Sequence, residues 1–204
     1  MTRILLIRHG STDLLRRVLY GRMPGVHLNE EGYRQARATG KALKARYTID
    51  AVVSSPLERA TETARLIADP QGVQVDLDEG LNELDWGAWV NKSFSELSQC
   101  DEWREFNQLR SLKRAPEGES LMEVQARAWK SLERIRAWDQ GRTIAAITHG
   151  DVIRCLLLLL LGMPLDHILR LEIDPASVSE IGLGEGQPLV RSVNQNVWIG
   201  DQGE

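Results

Sequence analysis

Two histidines stand in nearly the same local setting. Residues 3–10 read RILLIRHG and residues 143–150 read TIAAITHG, each an apolar run that ends in His-Gly. Continuous branched residues suit a strand covered on both faces, and ligands of open α/β sheets gather at the carboxyl ends of strands. His9 and His149 are therefore expected to face one another across a site. Gly10 and Gly150 would let the chain turn sharply and approach a bound group. Arg8 adjoins the first histidine, and Arg59 falls in the first turn of an expected helix, where unpaired amides and the helix dipole already favour an anion. A cation there is mildly unfavourable alone but sensible around a dianion, to which a guanidinium offers a fork for two phosphoryl oxygens. His27 and His167 are the other histidines; neither has zinc-ligand spacing, so no metal is expected.

The elements that must position these groups follow from periodicity and capping signals. Residues 30–47 carry an apolar stripe of Tyr33, Ala36, Gly40 and Leu43 at helical spacing, and DAVVSS at 50–55 reads as a strand. Ser55-Pro56-Leu57-Glu58 has the form of a capping box, with proline at the first helical position, ahead of Leu57, Ala60, Ala64 and Ile67. A strand is expected at 73–77. Residues 79–108 then form an excursion of short helices containing Trp86, Trp89, Phe94, Trp103 and Phe106. A second capping box, Ser120 to Glu123, starts a helix with Leu121, Val124, Ala128, Leu132 and Ile135 on one face, and Pro116 and Gly118 lie just outside it. The strand at 143–148 leads into a leucine-rich helix, and 169–173, 177–183 and 189–197 read as further strands. Alternating strands and helices predict an α/β fold, a three-layer α/β/α sandwich with a mostly parallel mixed sheet. The late strands would be edge or antiparallel members. One domain over 1–204 is expected, with a lid-like excursion at about 79–115.

Composition bounds the function classes. With 204 residues, 42% apolar and 26% charged residues and a net charge of −4, the chain has the profile of an ordinary globular domain. It is a poor general binder of nucleic acid or of an anionic membrane. Cys100 and Cys155 are far apart and lack metal-ligand spacing, so a reducing, cytoplasmic setting is expected. The apolar run at 4–7 is too short for a signal-peptide core. CLLLLLLG at 155–162 is shorter than the roughly 20 residues a spanning helix needs, and reads as a core helix.

Five ordered blocks, RHGST, SSPLERATETA, LNELDWGAW, PEGES and THGDVIR, resemble the histidine phosphatase superfamily, in its phosphoglycerate mutase-like branch. The resemblance implies one α/β domain whose first histidine is transiently phosphorylated. Residue by residue, it implies His9 as nucleophile, Arg8, Arg59 and His149 as phosphate ligands and Glu83 as proton donor. It also implies a substrate-facing Arg22. Ser11 and Thr12 either donate to the phosphate or hold their loop through backbone bonds. Asp78, Glu79 and Asp85 lie close to Glu83, and the choice among them rests on the resemblance. Glu119 and Ser120 belong to a shared block, with Ser120 capping its helix; Arg154 reads as a loop brace and Asp151 as a first-turn acid.

The chemistry fits these roles. A neutral imidazole attacking phosphorus splits hydrolysis into two easier steps, and its other nitrogen needs a backbone acceptor to fix the tautomer. Two arginines and a protonated His149 would gather the phosphoryl oxygens. Glu83 would protonate the leaving alkoxide and needs a raised pKa to do so. No metal or cofactor is implied.

The chain departs from the family where Gly87-Ala-Trp-Val-Asn91 replaces a Gly-x-Trp-Glu-Gly pattern and where Ser11-Thr-Asp-Leu-Leu15 follows the first histidine. Both changes touch the leaving group rather than the phosphate pocket. The expected activity is hydrolysis of a small phosphorylated metabolite through a phosphohistidine on His9, the mutase-type insertion being shortened or absent. A phosphoglycerate mutase and a non-catalytic phospho-ligand binding protein are the alternatives. No nucleic-acid or membrane partner is expected, and a homodimer is left open.

Overall fold

The computed structural model describes residues 1–138 and 141–197; the last seven residues of the expected domain, 198–204, lie outside the described residues. Among the described residues six strands form one sheet: β1 (Thr2–Arg8), β2 (Ala51–Ser54), β3 (Val75–Leu77), β4 (Thr143–Thr148), β5 (Val178–Leu183) and β6 (Leu189–Gln195), in the order β3-β2-β4-β1-β5-β6. The first four in that order run parallel, and β5 and β6 add antiparallel pairings at one side. Among the described residues the α-helices are α1 (Glu30–Arg46), α2 (Glu58–Gln71), α3 (Phe94–Ser98), α4 (Asp101–Gln108), α5 (Leu121–Trp138) and α6 (Gly150–Leu160).

Side-chain alternation divides the core into two layers. Ile4, Leu6, Ile144 and Ala146 point into one cluster with α5, α6 and the excursion, whereas Leu5, Ile7, Ala145 and Ile147 point into the other with α1 and α2. Successive strand residues face opposite sides, so continuous apolar runs in β1 and β4 serve both layers at once. The result is the expected α/β/α sandwich.

Several details differ from the sequence-based expectation. Residues 169–173 do not form a strand; a short 3-10 segment, Leu165–Arg170, leads into a loop whose Ile173 and Leu171 carbonyls are held by Arg8 and Arg154. Tyr33 is largely exposed, and α1 instead buries Ala36, Gly40 and Leu43. A Cβ on Gly40 would stand 2.4 Å from the Leu66 carbonyl oxygen of α2, so close helix packing requires its absence. Gly10 is constrained likewise, by the backbone of Gly32 at the start of α1, 2.5 Å from where a Cβ would be.

The excursion forms short helices, as expected, and its rings pack on one another. Trp89 and Phe106 are buried with centroids 5.3 Å apart, and Trp86 and Trp103 complete the group at 5.6 Å from each other. Phe94 stays exposed at the edge. Among the described residues no helix is long and apolar enough to cross a membrane. The leucine run of α6 buries Leu156, Leu157 and Leu158 while Leu161 is 45% exposed. Leu156→Ala should therefore cost about 2–5 kcal/mol of unfolding free energy, and Leu161→Ala less than about 1 kcal/mol. Urea unfolding of both variants checks the assignment; equal losses would contradict it.

Candidate active site

Register brings the two histidines together. β1 and β4 are adjacent and parallel with Arg8 opposite Thr148, so the next residue of each strand end, His9 and His149, lies side by side. Their ring centroids are 5.1 Å apart, and both side chains are buried. The strand end is buttressed from behind: the Ala176 amide donates to the carbonyls of Arg8 (3.0 Å) and His9 (3.2 Å), and Thr39 Oγ1 donates to the Ala176 carbonyl.

Arg59, the second residue of α2, is fully buried between the rings. Its Nε donates to His9 Nε2 (3.2 Å), and its Nη2 donates to His149 Nδ1 (3.2 Å) and to the Gly21 carbonyl (2.7 Å). Its guanidinium carbon sits 4.8 Å from the Tyr20 ring centroid, within cation–π range. A guanidinium has only N–H donors, so both contacted imidazole nitrogens are acceptors. The His9 proton is accordingly on Nδ1, which donates to the Gly10 carbonyl at 2.7 Å, so Nε2 is unprotonated and its lone pair accepts from Arg59.

Charge and burial keep both rings neutral. Burial first, then the Arg59 and Arg8 charges, hold the His9 pKa well below its ordinary value. Burial, Arg59 and His9 do the same at His149. The protonated His149 expected around a phosphoryl group therefore requires that anion: a buried imidazolium beside Arg59 is disfavoured until a negative charge compensates it.

Three buried donors of predicted site residues have no hydrogen-bond partner among the described residues: Arg59 Nη1, Arg8 Nε and Thr12 Oγ1. Buried polar groups are normally paired, so the unpaired nitrogens of Arg59, bonded to both rings, and of Arg8, adjoining His9, suit an acceptor-rich ligand. Ser11 uses its backbone instead, donating from its amide to Gln35 Oε1 and accepting at its carbonyl from Asn29. Of the two hydroxyl residues, Thr12 is thus the one whose side chain is unpaired and buried.

Glu83 lines the same cavity as Arg8, with a volume of about 340 Å³. Burial, then the negative charge of Asp151, raises its pKa to about 7, against the Leu84 amide bond and the pull of Arg59 and Arg8. Asp78 pairs with Arg134, and Asp85 accepts from the Gly87 amide. Neither they nor Glu79 line this cavity. The cavity continues beyond Glu83 over Leu15, Leu19, Trp86, Phe94 and Trp103, and over a polar edge of Arg110, Asp151 and Arg154. Arg154 pairs with Asp151 at 2.9 Å.

Arg22 is placed differently from its expected substrate-facing position. Its Nε donates to the Glu83 carbonyl (2.8 Å) and its Nη2 to Glu119 (2.8 Å), which also receives Arg127. It does not line the cavity, and braces the Glu83 backbone instead. Ser55 is also not the cap of α2. The helix begins at Glu58 with Leu57 as a cap lacking a side-chain bond, because the Ser55 hydroxyl is drawn 2.9 Å from both His149 Nε2 and Asn82 Oδ1. Ser120 does cap α5, reciprocally with Glu123. Ser55, Asn82, Tyr20 and Arg110 are site residues that sequence reasoning missed. A serine preceding a proline at a strand end was the available signal for Ser55. Among the described residues, no group of three or more His, Cys, Asp and Glu side chains is placed to hold a metal ion.

Comparisons with known proteins identify the family and the fold. The profile of the histidine phosphatase superfamily (branch 1) matches residues 4–196. Bifunctional protein Rv2228c of Mycobacterium tuberculosis is 37% identical over 201 residues, covering 97% of this chain and 55% of that protein; the chain spans about half the length of such curated relatives. A probable phosphoglycerate mutase GpmB of Yersinia pestis is 32% identical, with 91% and 86% covered. Among solved structures, Bacillus stearothermophilus YhfR superposes with a TM-score of 0.89 at 29% identity (97% and 100% covered). A phosphoserine phosphatase mutant from Entamoeba histolytica, in complex with phosphoserine, gives 0.85 at 26% (98% and 100% covered).

The raised Glu83 pKa is also a stability statement. A carboxyl whose folded pKa exceeds its unfolded value stabilises the fold below about 4.5, and that contribution is lost as pH rises through about 7. The melting temperature of Glu83→Gln should therefore gain on wild type between pH 4.5 and 7.5. An offset that stays constant across calorimetric scans in that range would show that this carboxyl does not titrate there.

Proposed function

Because the chain belongs to the histidine phosphatase superfamily, we propose that it hydrolyses a small phosphorylated metabolite through a phosphohistidine on His9. The observations that carry the reading are a neutral His9, whose unprotonated Nε2 is held by Arg59, and an acid of pKa about 7 on the cavity lined by Arg8, the residue that precedes His9.

In the first step Arg59 Nε exchanges its bond to His9 Nε2 for a phosphoryl oxygen, the freed Nε2 attacks phosphorus, and the ester oxygen leaves. Arg8 and Arg59 take the non-bridging oxygens through their unpaired nitrogens, and Thr12 adds its hydroxyl. Positioned cations of this kind stabilise charge that spreads over the oxygens during transfer. The dianion also compensates the positive field at His149, allowing its Nδ1 to gain a proton and donate to the phosphoryl group. Glu83 gives its proton to the departing alkoxide. In the second step its carboxylate takes a proton from water as that water displaces His9, and phosphate leaves.

Water access supports hydrolysis over transfer to a second hydroxyl. Phe94 and Leu169 line the cavity yet are 43% and 64% exposed, so its mouth opens to solvent. The excursion helices act as a partial lid, anchored by their aromatic packing and leaving one side of the leaving-group compartment uncovered. Arg110, buried with an unpaired Nε, offers that compartment a charged donor, while the tryptophans offer it an apolar wall. This chemistry favours a leaving group that is partly apolar and carries an acceptor.

His9→Ala should abolish both turnover and acid-labile phosphoenzyme on a panel of phosphomonoesters assayed with EDTA. Near-wild-type hydrolysis by that variant would refute the nucleophile. Interconversion of 2- and 3-phosphoglycerate without phosphate release would turn the reading to a mutase, and binding without turnover to a phospho-ligand receptor.

Glu83→Gln separates the acid from the cradle. Phosphoenzyme formation from alkyl phosphates should slow by about 10²- to 10⁴-fold, and from aryl phosphates, whose leaving groups hardly need a proton, by less than about tenfold. Wild-type rates with alkyl esters should fall as pH rises through about 7, a limb absent from the variant. Equal slowing of both ester classes in single-turnover assays would remove the acid role.

A further inference from the structure

We propose that Ser55 and Asn82 form a positioning relay that decides which nitrogen of His149 carries its proton. The tautomer follows from donor and acceptor chemistry alone. Arg59 Nη2 lies 3.2 Å from His149 Nδ1 and can only donate, so Nδ1 presents a lone pair. A neutral ring must then be protonated on Nε2, which stands 2.9 Å from Ser55 Oγ. Ser55 accepts that proton's hydrogen bond, receives the Leu57 amide more weakly at 3.4 Å, and turns its own hydrogen to Asn82 Oδ1 at 2.9 Å.

The direction of the chain is set at its far end. Asn82 Oδ1 is an acceptor, so the Ser55 hydrogen points to it and the Ser55 lone pairs point to His149. Without that acceptor, Ser55 could turn its hydrogen toward Nε2, and the imidazole proton would move to Nδ1, directly against the Arg59 donor. Asn82 immediately precedes Glu83 and follows the 3-10 turn Glu79–Leu81. A second bond, from Thr148 Oγ1 to the Leu81 carbonyl at 2.6 Å, ties the same turn to the end of β4. The turn that carries the acid is thus latched to the strand that carries the second histidine, and the latch also sets that histidine's tautomer.

The consequence for rate rests on the phosphatase reading. With Nε2–H held by Ser55, the nitrogen left open at the cradle is Nδ1. It can acquire a proton from solvent when a dianion binds and lose it when phosphate leaves, so the ring need not rotate during a cycle. Fixing a histidine tautomer through a partner on the opposite nitrogen is worth large factors in rate where that histidine touches reacting atoms.

The test is nitrogen-15 NMR of ring-labelled protein near pH 7.5, with His149 assigned by the loss of its signals in His149→Gln. Wild type should show a protonated Nε2 and an unprotonated Nδ1, and a proton found on Nδ1 overturns the proposal without any variant of the relay. Ser55→Ala and Asn82→Leu should shift the His149 nitrogens toward the other tautomer and lower kcat by about 10- to 100-fold, as loss of outer partners does for ligated histidines. Ser55→Thr, which keeps the hydroxyl, should restore both readouts. Unchanged nitrogen shifts in folded Ser55→Ala and Asn82→Leu would refute the relay, and altered shifts with wild-type kcat would refute its part in catalysis. If wild type hydrolyses no phosphomonoester, the functional reading fails while the spectroscopic result still stands.

Discussion

A buried guanidinium without a carboxylate is the constraint around which this site is arranged. Arg59 is fully buried, yet its partners are two imidazoles, a carbonyl and the face of a tyrosine, and no ion pair reaches it among the described residues. A buried charge left uncompensated is costly, and Arg8 adds a second cation nearby. Both histidines must be neutral under that field, and each must turn a lone pair toward Arg59. The same cation therefore keeps His9 Nε2 unprotonated, favours with Ser55 the opposite tautomer at His149, and has its Nη1 left unpaired.

The sheet makes that arrangement rigid. Arg8, His9, Ser55 and His149 all sit at the carboxyl ends of parallel strands β1, β2 and β4, neighbours in the sheet, so backbone register fixes their spacing. Arg59 arrives on the first turn of α2, directly after β2. The chain beyond β3 contributes Asn82 and Glu83, and Arg22 and Arg127 clamp the Glu83 carbonyl from outside. Opposing requirements are thus met by different elements. The strands carry the groups that must not move, and the excursion, packed through its own ring cluster, shapes the compartment next to them.

How much of this could be read from residue order depends on whether the deciding interaction is local. His9 and His149 were legible because strand burial, the turn and the histidine occupy one short stretch. The α5 cap was legible because both halves of its box lie within four residues. Ser55 satisfied the same local pattern but was claimed by Asn82 and His149, 27 and 94 residues away, and α2 starts without it. Arg22 was misplaced for the same reason: Glu119, 97 residues on, holds its guanidinium. The stretch 169–173 has strand-like composition, but arginines from β1 and α6 hold its carbonyls, leaving no strand neighbour to pair with. Local order foretold the layers and the paired histidines; side-chain direction was decided by distant partners.

The charge balance at Glu83 links binding to proton supply. Burial and Asp151 push its pKa up, while Arg59 and Arg8 pull it down. Within the phosphatase reading, a dianion seated on those arginines offsets their pull and leaves the upward influences in place. The carboxyl is then most firmly protonated when an ester oxygen needs its proton. Once the phosphoryl group has moved to His9 and the leaving group has departed with that proton, Glu83 is the base that the attacking water requires. Substrate occupancy, rather than a separate conformational step, would set the protonation state that each half of the reaction uses. Asp151 raises the Glu83 pKa while its own carboxylate is held by Arg154.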